Sequence, residues 1–518
     1  MYEINPASDM LQNINTTDGN RKMLNDKEQI IKNNYIFFGG ISLLYGIVFA
    51  FCTYRNLFGA TFVLTALSTV AVLTIFLKKI NLKVKKETKI YFTSLILCGI
   101  STCFTANILI QFFNWCWLIV LLMMAMLSQF FEERQWNVFS YIKYLIILFF
   151  TTIGYFILPL SEGKENLQIK VKNQNKIEHK TMMMVLVGTV CAAGVLFIVF
   201  PLLLSSDLVF KRMFENLFSI FDFDMIFPNI TTAMGIIITA LIGFVTIYAF
   251  FYASCHAEFP RNPERKVPYY NPLTGITFSL VIAFVYLIYS GIQIIYLFLG
   301  TGLPDGITYS EYARSGFFQL VAVAFINVGM VLVCMYLFRE NRWLKGILTI
   351  ISFCTFIMII SAAYRMTLYV SVYHLTVLRV LVYWALAVLS LVMAGVIASI
   401  YKKRFPLIRY MTVVIVCGYL LLAFAKPDYW IAKYNVSHMD TISRADLDYM
   451  MFGLSMDAAP VIAEIPEDKM ESFDHEVEDQ FYEYFSAILE DNRNTDFRKT
   501  NFSRLRAKTA AEKYLKKK

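Results

Sequence analysis

Histidine and charge are what this chain has least of. Its five histidines, His179, His256, His374, His438 and His475, are scattered and form neither an HxxxH nor an HExxH pair. A histidine-rich di-iron oxygenase or a zinc-dependent membrane protease needs such pairs, so neither class has ligands here. No G-x-x-x-x-G-K-[ST], G-x-G-x-x-G or G-x-S-x-G occurs, which leaves ATPase, dinucleotide-enzyme and serine-hydrolase chemistry without a motif. The nine cysteines all fall between Cys52 and Cys417 and build no CxxC pair, so they read as small buried hydrophobes. No metal and no cofactor is expected. A secretory signal is lacking too, because about thirty polar residues, Asp18, Arg21 and Lys22 among them, precede the first apolar run. The net charge of +9 comes from short lysine-rich loops and the last residues, with no basic aromatic-rich module, and no nucleic-acid partner is expected.

Hydrophobic residues are abundant instead. They make up 58 % of the 518 residues and charged ones only 16 %, against about 45–50 % and about 25 % in soluble domains. Lipid must therefore be part of the solvent. A helix needs about twenty apolar residues to cross a bilayer, and such runs lie near 35–53, 57–77, 90–111, 115–131, 141–160, 182–204, 225–252, 273–300, 318–338, 344–363, 377–400 and 408–425. The expectation is an all-α, polytopic transmembrane helical bundle of about twelve spans, eleven to thirteen. A polar N-terminal segment, 1–34, precedes the transmembrane domain, 35–425, and a small, charged, helical soluble tail, 426–518, follows it. The basic loop KKINLKVKKETK at 78–89 predicts a cytoplasmic N-terminus, and basic loops at 161–181, 253–272, 339–345 and 401–409 predict an extracytoplasmic tail. The two inferences conflict by one crossing: an even span count returns both ends to one side.

Two polar constellations interrupt the apolar runs. In TYSEYARSGFFQLVAVAFINV, Thr308 and Glu311 form a capping box. On the helix that follows, Tyr312, Gly316, Gln319, Val323 and Asn327 share a stripe, with Glu311 to one side and Arg314 nearly opposite. If 364–384 is helical, Arg365, Tyr369, Val372, Thr376, Arg379 and Tyr383 share a face while His374 points away. A central arginine costs about 2.5 to 3.5 kcal/mol on insertion scales, so these groups need a partner, a cavity or an anionic ligand. Glu311, Tyr312, Arg314, Gln319, Asn327, Arg365, Tyr369, Thr376 and Arg379 are accordingly candidates for ligand binding or for helix packing, and none for catalysis. Glu311 is the carboxylate to test first against Arg365. In the tail, Ser443 and Asp446 mark a helix start, and an acidic block followed by a basic one suggests two helices that pair.

The blocks YARSGFFQL at 312–320, RMTLYVSVYHLTVLR at 365–379, KYNV at 433–436, DLDYMMFGLSMDAAP at 446–460 and NFSRLRA at 501–507 resemble, in order and spacing, a bacterial polytopic membrane family. It is catalogued as domain of unknown function 4173, akin to 4153, and the resemblance runs from about Phe200 to the C-terminus. It implies a multi-pass cell-membrane protein of unestablished activity. His374 stands where that family has glycine in a Y-G-L-T pattern, and Thr500 where tryptophan is common. A carotenoid-oxygenase label attached to some members finds no support in the histidine inventory. The functional expectation is a protein that binds or transports an amphiphilic or anionic ligand, an anionic lipid for example, and it leans away from an enzyme without deciding the question. The alternative is a regulatory or assembly protein that recruits a protein partner through 441–518. A membrane transferase with Glu311 or Asp446 as base comes third, with no motif behind it.

Overall fold

In the computed structural model the described residues are 27–56, 59–131, 136–159, 230–256, 270–295, 317–402, 405–471, 475–494, 496–499 and 501–517. Among them the chain is helical throughout, as expected. The long helices are α1 (Tyr35–Thr53), α2 (Phe62–Lys79), α3 (Lys86–Ser101), α4 (Ile108–Phe130), α5 (Val138–Gly154), α6 (Ile230–His256), α7 (Pro272–Gln293), α8 (Phe317–Leu337), α9 (Arg342–Tyr373), α10 (Val377–Tyr401) and α11 (Leu407–Phe424). Nine helices among the described residues are long and apolar enough to cross a bilayer, all but α3 and α5 of this series. The chain is an integral membrane protein. The span expected at 182–204 lies outside the described residues.

The chain divides into two compact units, one of residues 1–99, 117–132 and 142–261, the other of 100–116, 133–141 and 262–518. In the first, α1 and α6 pack backbone to backbone. A Cβ on Gly46 would stand 2.3 Å from the carbonyl oxygen of Ala240, so the small residue sets the approach, as at other membrane helix crossings. Phe76 and Phe251 stack with centroids 4.4 Å apart, and the hydroxyls of Tyr45 and Thr69 lie 3.0 Å apart, hydrogen-bonded between α1 and α2.

The second unit holds the α7–α11 bundle and the tail. α7 and α9 each start on an asparagine cap, Asn271 accepting from Leu273 N and Asn341 from Trp343 N. α10 and α11 pack where Gly395 leaves room for the Tyr410 ring, 2.3 Å from where a Cβ would be. After α11 come α12 (Pro427–His438), α13 (Arg444–Asp448), α14 (Ala459–Ile462), α15 (His475–Asn494) and α16 (Phe502–Lys517). They enclose an apolar core of Ile431, Met450, Ile462, Phe481, Phe485 and their neighbours. Ser443 caps α13 as expected, accepting from Asp446 N. α15 and α16 do pair, through a ring seam in which Tyr514 sits 5.6 Å from Phe481 and 4.6 Å from Phe485. Of the charge blocks, Arg504 and Asp491 meet at 2.8 Å on the surface, where an ion pair contributes at most about 1 kcal/mol.

Two helix boundaries differ from expectation. The runs 90–111 and 115–131 do not break at 112–114. They break at 102–107, because Thr105 and Asn107 take over the freed backbone groups: Asn107 N donates to Thr105 Oγ1 and Ile110 N to Asn107 Oδ1. Nor is 364–384 one helix. α9 runs 32 residues to Tyr373, the chain turns at 374–376, and α10 starts at Val377. The turn depends on His374, at φ 60° and ψ −176°, a region essentially reserved for glycine.

Candidate functional site

The tail docks on the second unit at two helix links, and each contact satisfies backbone groups that a helix end leaves open. At the 374–376 turn, the Asn435 amide of α12 accepts from Leu375 N at 2.8 Å and donates to Leu375 O at 2.9 Å. The Tyr449 hydroxyl accepts from Val377 N at 3.0 Å. Arg379 caps the end of α9, donating to the carbonyls of Tyr373 and His374, and its guanidinium lies 4.4 Å from the Tyr369 ring centre. A cation suits that helix end.

At the 102–107 link the receiving groups are carboxylates. Asp457, 4 % exposed, accepts from Thr105 Oγ1 at 2.6 Å, from Ala106 N at 3.2 Å and from the Ser503 hydroxyl. Asp428 is fully buried in the first turn of α12, where a negative charge favours the helix. It accepts from Asn107 Nδ2 at 2.8 Å and from Ser455 N at 3.0 Å through Oδ2, and Oδ1 has no partner among the described residues. Asn501 completes the clasp by donating to the Thr105 carbonyl at 3.1 Å. Burial pushes the Asp457 carboxyl up to about 6; the hydrogen bonds from Thr105 and Ala106 and the charge of Lys426 oppose the shift, and Asp428 adds to it.

Asp457 also forms part of the wall of an open cleft of about 1450 Å³ inside this unit. Its apolar lining includes Phe104, Phe502, Leu505, Ala510 and Tyr514; its cations are Lys426, Arg506, Lys513 and Lys517. The acids Glu464, Glu467 and Asp468 line it as well, Glu464 lying 3.9 Å from Lys513 Nζ. Lys426 sits at the α12 cap position in the left-handed conformation, φ 52° and ψ 65°.

The residues selected from sequence fall elsewhere. Glu311, Tyr312 and Arg314 lie outside the described residues. Asn327 is buried in α8, accepting from the Tyr286 hydroxyl at 2.7 Å and donating to Thr355 Oγ1 at 2.9 Å. Gln319 is exposed; a stripe stepped in fours drifts about 40° per step, so eight residues carry Gln319 off the face Asn327 occupies. Arg365 is 7 % exposed and donates to Gln293 Oε1 at 3.2 Å. It follows Arg342 by 23 residues, roughly 35 Å along the helix, so with Arg342 in one headgroup layer Arg365 reaches the other. Thr376 caps α10 without a side-chain bond, and Tyr383 meets Thr367 across the turn at 2.9 Å. Asp446 is held by Ser443. Among the described residues no group of three or more His, Cys, Asp or Glu side chains is arranged to hold a metal ion.

Sequence reasoning chose polar residues within apolar runs and passed over Asp428, Asp457, Asn435, Asn501 and Ser503. One signal could have found four of them: Asn435, Asp457, Asn501 and Ser503 stand in three of the blocks that carried the resemblance, and the fold brings those blocks to the two links.

No curated protein and no solved structure matches the chain in comparison. One family model does, described as a domain of unknown function (DUF4153), over residues 92–465. The match starts earlier than the expected Phe200 and ends before α16, and the number is the neighbour of the one expected, 4173. Since it covers more than two thirds of a helical, membrane-spanning chain, and includes both docking links, this protein belongs to the DUF4153 family.

Proposed function

We propose that this multi-pass membrane protein binds an amphiphile in the cleft between α12, α14 and α16, and that the polar residues of the bundle serve helix packing. The single observation that carries the reading is the cleft's lining, which combines rings and aliphatic groups with cations, beside the link that the tail clasps. Ligand sites are concave, mostly apolar and fixed by a few polar groups. Asn327, Arg365, Tyr369 and Arg379 each have an intramolecular contact, which supports packing as their role.

The reading places the cleft outside a bacterial cell membrane and the N-terminus in the cytoplasm. Basic residues at the α8–α9 and α10–α11 links, Arg339, Arg342, Lys345, Lys402 and Arg409, favour the cytoplasm. The 374–376 turn and the end of α11 are one crossing away, with the tail. No catalytic role is assigned to any residue.

Purified full-length protein titrated with a pyrene-labelled single-chain amphiphile tests the reading. Ala510→Trp, which fills the cleft, should weaken binding at least tenfold with the fold intact; unchanged binding would sink the proposal.

A further inference from the structure

Two cations that line the cleft have no ion pair among the described residues. Lys426 Nζ and the Arg506 guanidinium have no ion pair and no hydrogen bond among the described residues. Asp457, the acid nearest to hand, is already engaged by Thr105, Ala106 and Ser503. Burial lowers the Lys426 ammonium's proton affinity, and the charge of Arg506 lowers it further, against Asp457; the two cations are therefore close enough to repel. Lys426 in addition occupies a left-handed backbone position that is strained for a non-glycine side chain. Strain at a charged cleft residue points from conformation to role. Beside Lys426 lie the rings of Phe104 and Phe502, 5.4 Å apart, with Lys426 Nζ 5.8 Å from the Phe104 ring centre.

We propose that Lys426 and Arg506 together form an anion site for the phosphate of an amphiphile, with Phe104, Phe502 and Leu505 taking up its apolar part. The proposal rests on the reading of the cleft as an amphiphile site and names its ligand class. A phosphate suits the pair: the guanidinium offers a planar fork and the ammonium a point charge, and an anion between them removes their repulsion. The phosphate could belong to a lipid headgroup or be free, and the apolar flank favours the first.

The experiment compares three probes on the purified full chain in neutral detergent: dioctanoyl phosphatidate, dioctanoylglycerol and inorganic phosphate. Binding is read by titration and by the ligand-dependent rise in Tm. Phosphatidate should bind at least tenfold more tightly than either other probe, and Lys426→Gln and Arg506→Gln should each abolish most of that advantage. Because each variant removes a repulsive charge, its ligand-free Tm should equal or exceed that of the parent, and Arg506→Lys should restore part of the affinity. Equal binding of phosphatidate and dioctanoylglycerol, unmoved by the variants, overturns the anion site and leaves the amphiphile reading standing. Phosphate binding as tightly as phosphatidate keeps the anion site and overturns the amphiphile reading. No phosphatidate binding overturns both.

Discussion

Asp457 shows how a single residue can hold a structure under tension. Its carboxylate receives three donors, yet burial outweighs them and lifts its proton affinity to about 6, from an ordinary 3.8. An acid raised in the folded state contributes stability that is complete below its unfolded pKa and lost as pH rises through its folded one. Folding should therefore strengthen on acidification from pH 7 to 4, by on the order of 2–3 kcal/mol from this group. Asp428 and Lys426 face the same carboxylate, the first raising its proton affinity and the second lowering it. Thermal unfolding of the detergent-solubilised protein should show the slope, and Asp457→Asn should remove it; a variant with the parent's pH dependence would refute this. His374 offers the opposite case, a side chain where the backbone wants none. His374→Gly should raise stability by about 1 kcal/mol, measured in the same unfolding experiment, because the remaining clamp on the turn, Asn435 and Arg379, does not involve the imidazole.

Among the elements, the apolar runs were legible in the sequence and their ends were not. Composition over twenty residues registers hydrophobicity, and it does not register where a chain can stop being helical without cost. The 102–107 break is permitted by Thr105 and Asn107 on the spot and by Asp457 and Asn501 from the far end of the chain, and the second pair cannot be read locally. The 374–376 turn did leave a trace, in the glycine that the resemblance led one to expect at His374. The pairing of α15 with α16 was legible as two charge blocks, but the ring seam contributes more than the ions. Phe485→Ala should accordingly destabilise by about 3 kcal/mol, in the range for a buried aromatic, whereas Arg504→Ala should cost under about 1 kcal/mol. Equal losses in chemical unfolding would reverse that ranking. The polar stripes were visible as residue types, and the sequence could not say which of them would find partners within the bundle.

For the molecule as a whole, the tail is bound into the second unit rather than appended to it. Its core packs against Leu375, Val377 and Val380 of the α9–α10 turn, and its Asp457 and Asp428 accept hydrogen bonds from the 102–107 link. Residues 426–518 expressed alone should thus lack protected amide hydrogens, and hydrogen exchange on that fragment against the full chain would check it; native-like protection would show an independent domain. Reporter fusions after Ala425 should read extracytoplasmic, and a cytoplasmic signal would reverse the proposed orientation.

The clasp between Thr105 and Asp457 joins residues 352 positions apart. At roughly 5–20 residues per second, a ribosome reaches Asp457 some 20–70 s after it has made Thr105. During that interval the 102–107 link lacks the hydrogen-bond partners that Asp457 and Asn501 will bring to it. Closure of this link therefore has to wait for the last-made segment of the chain. A chain released early should leave the Thr105 hydroxyl and the Ala106 amide uncovered, two polar groups that only its missing end supplies with a carboxylate.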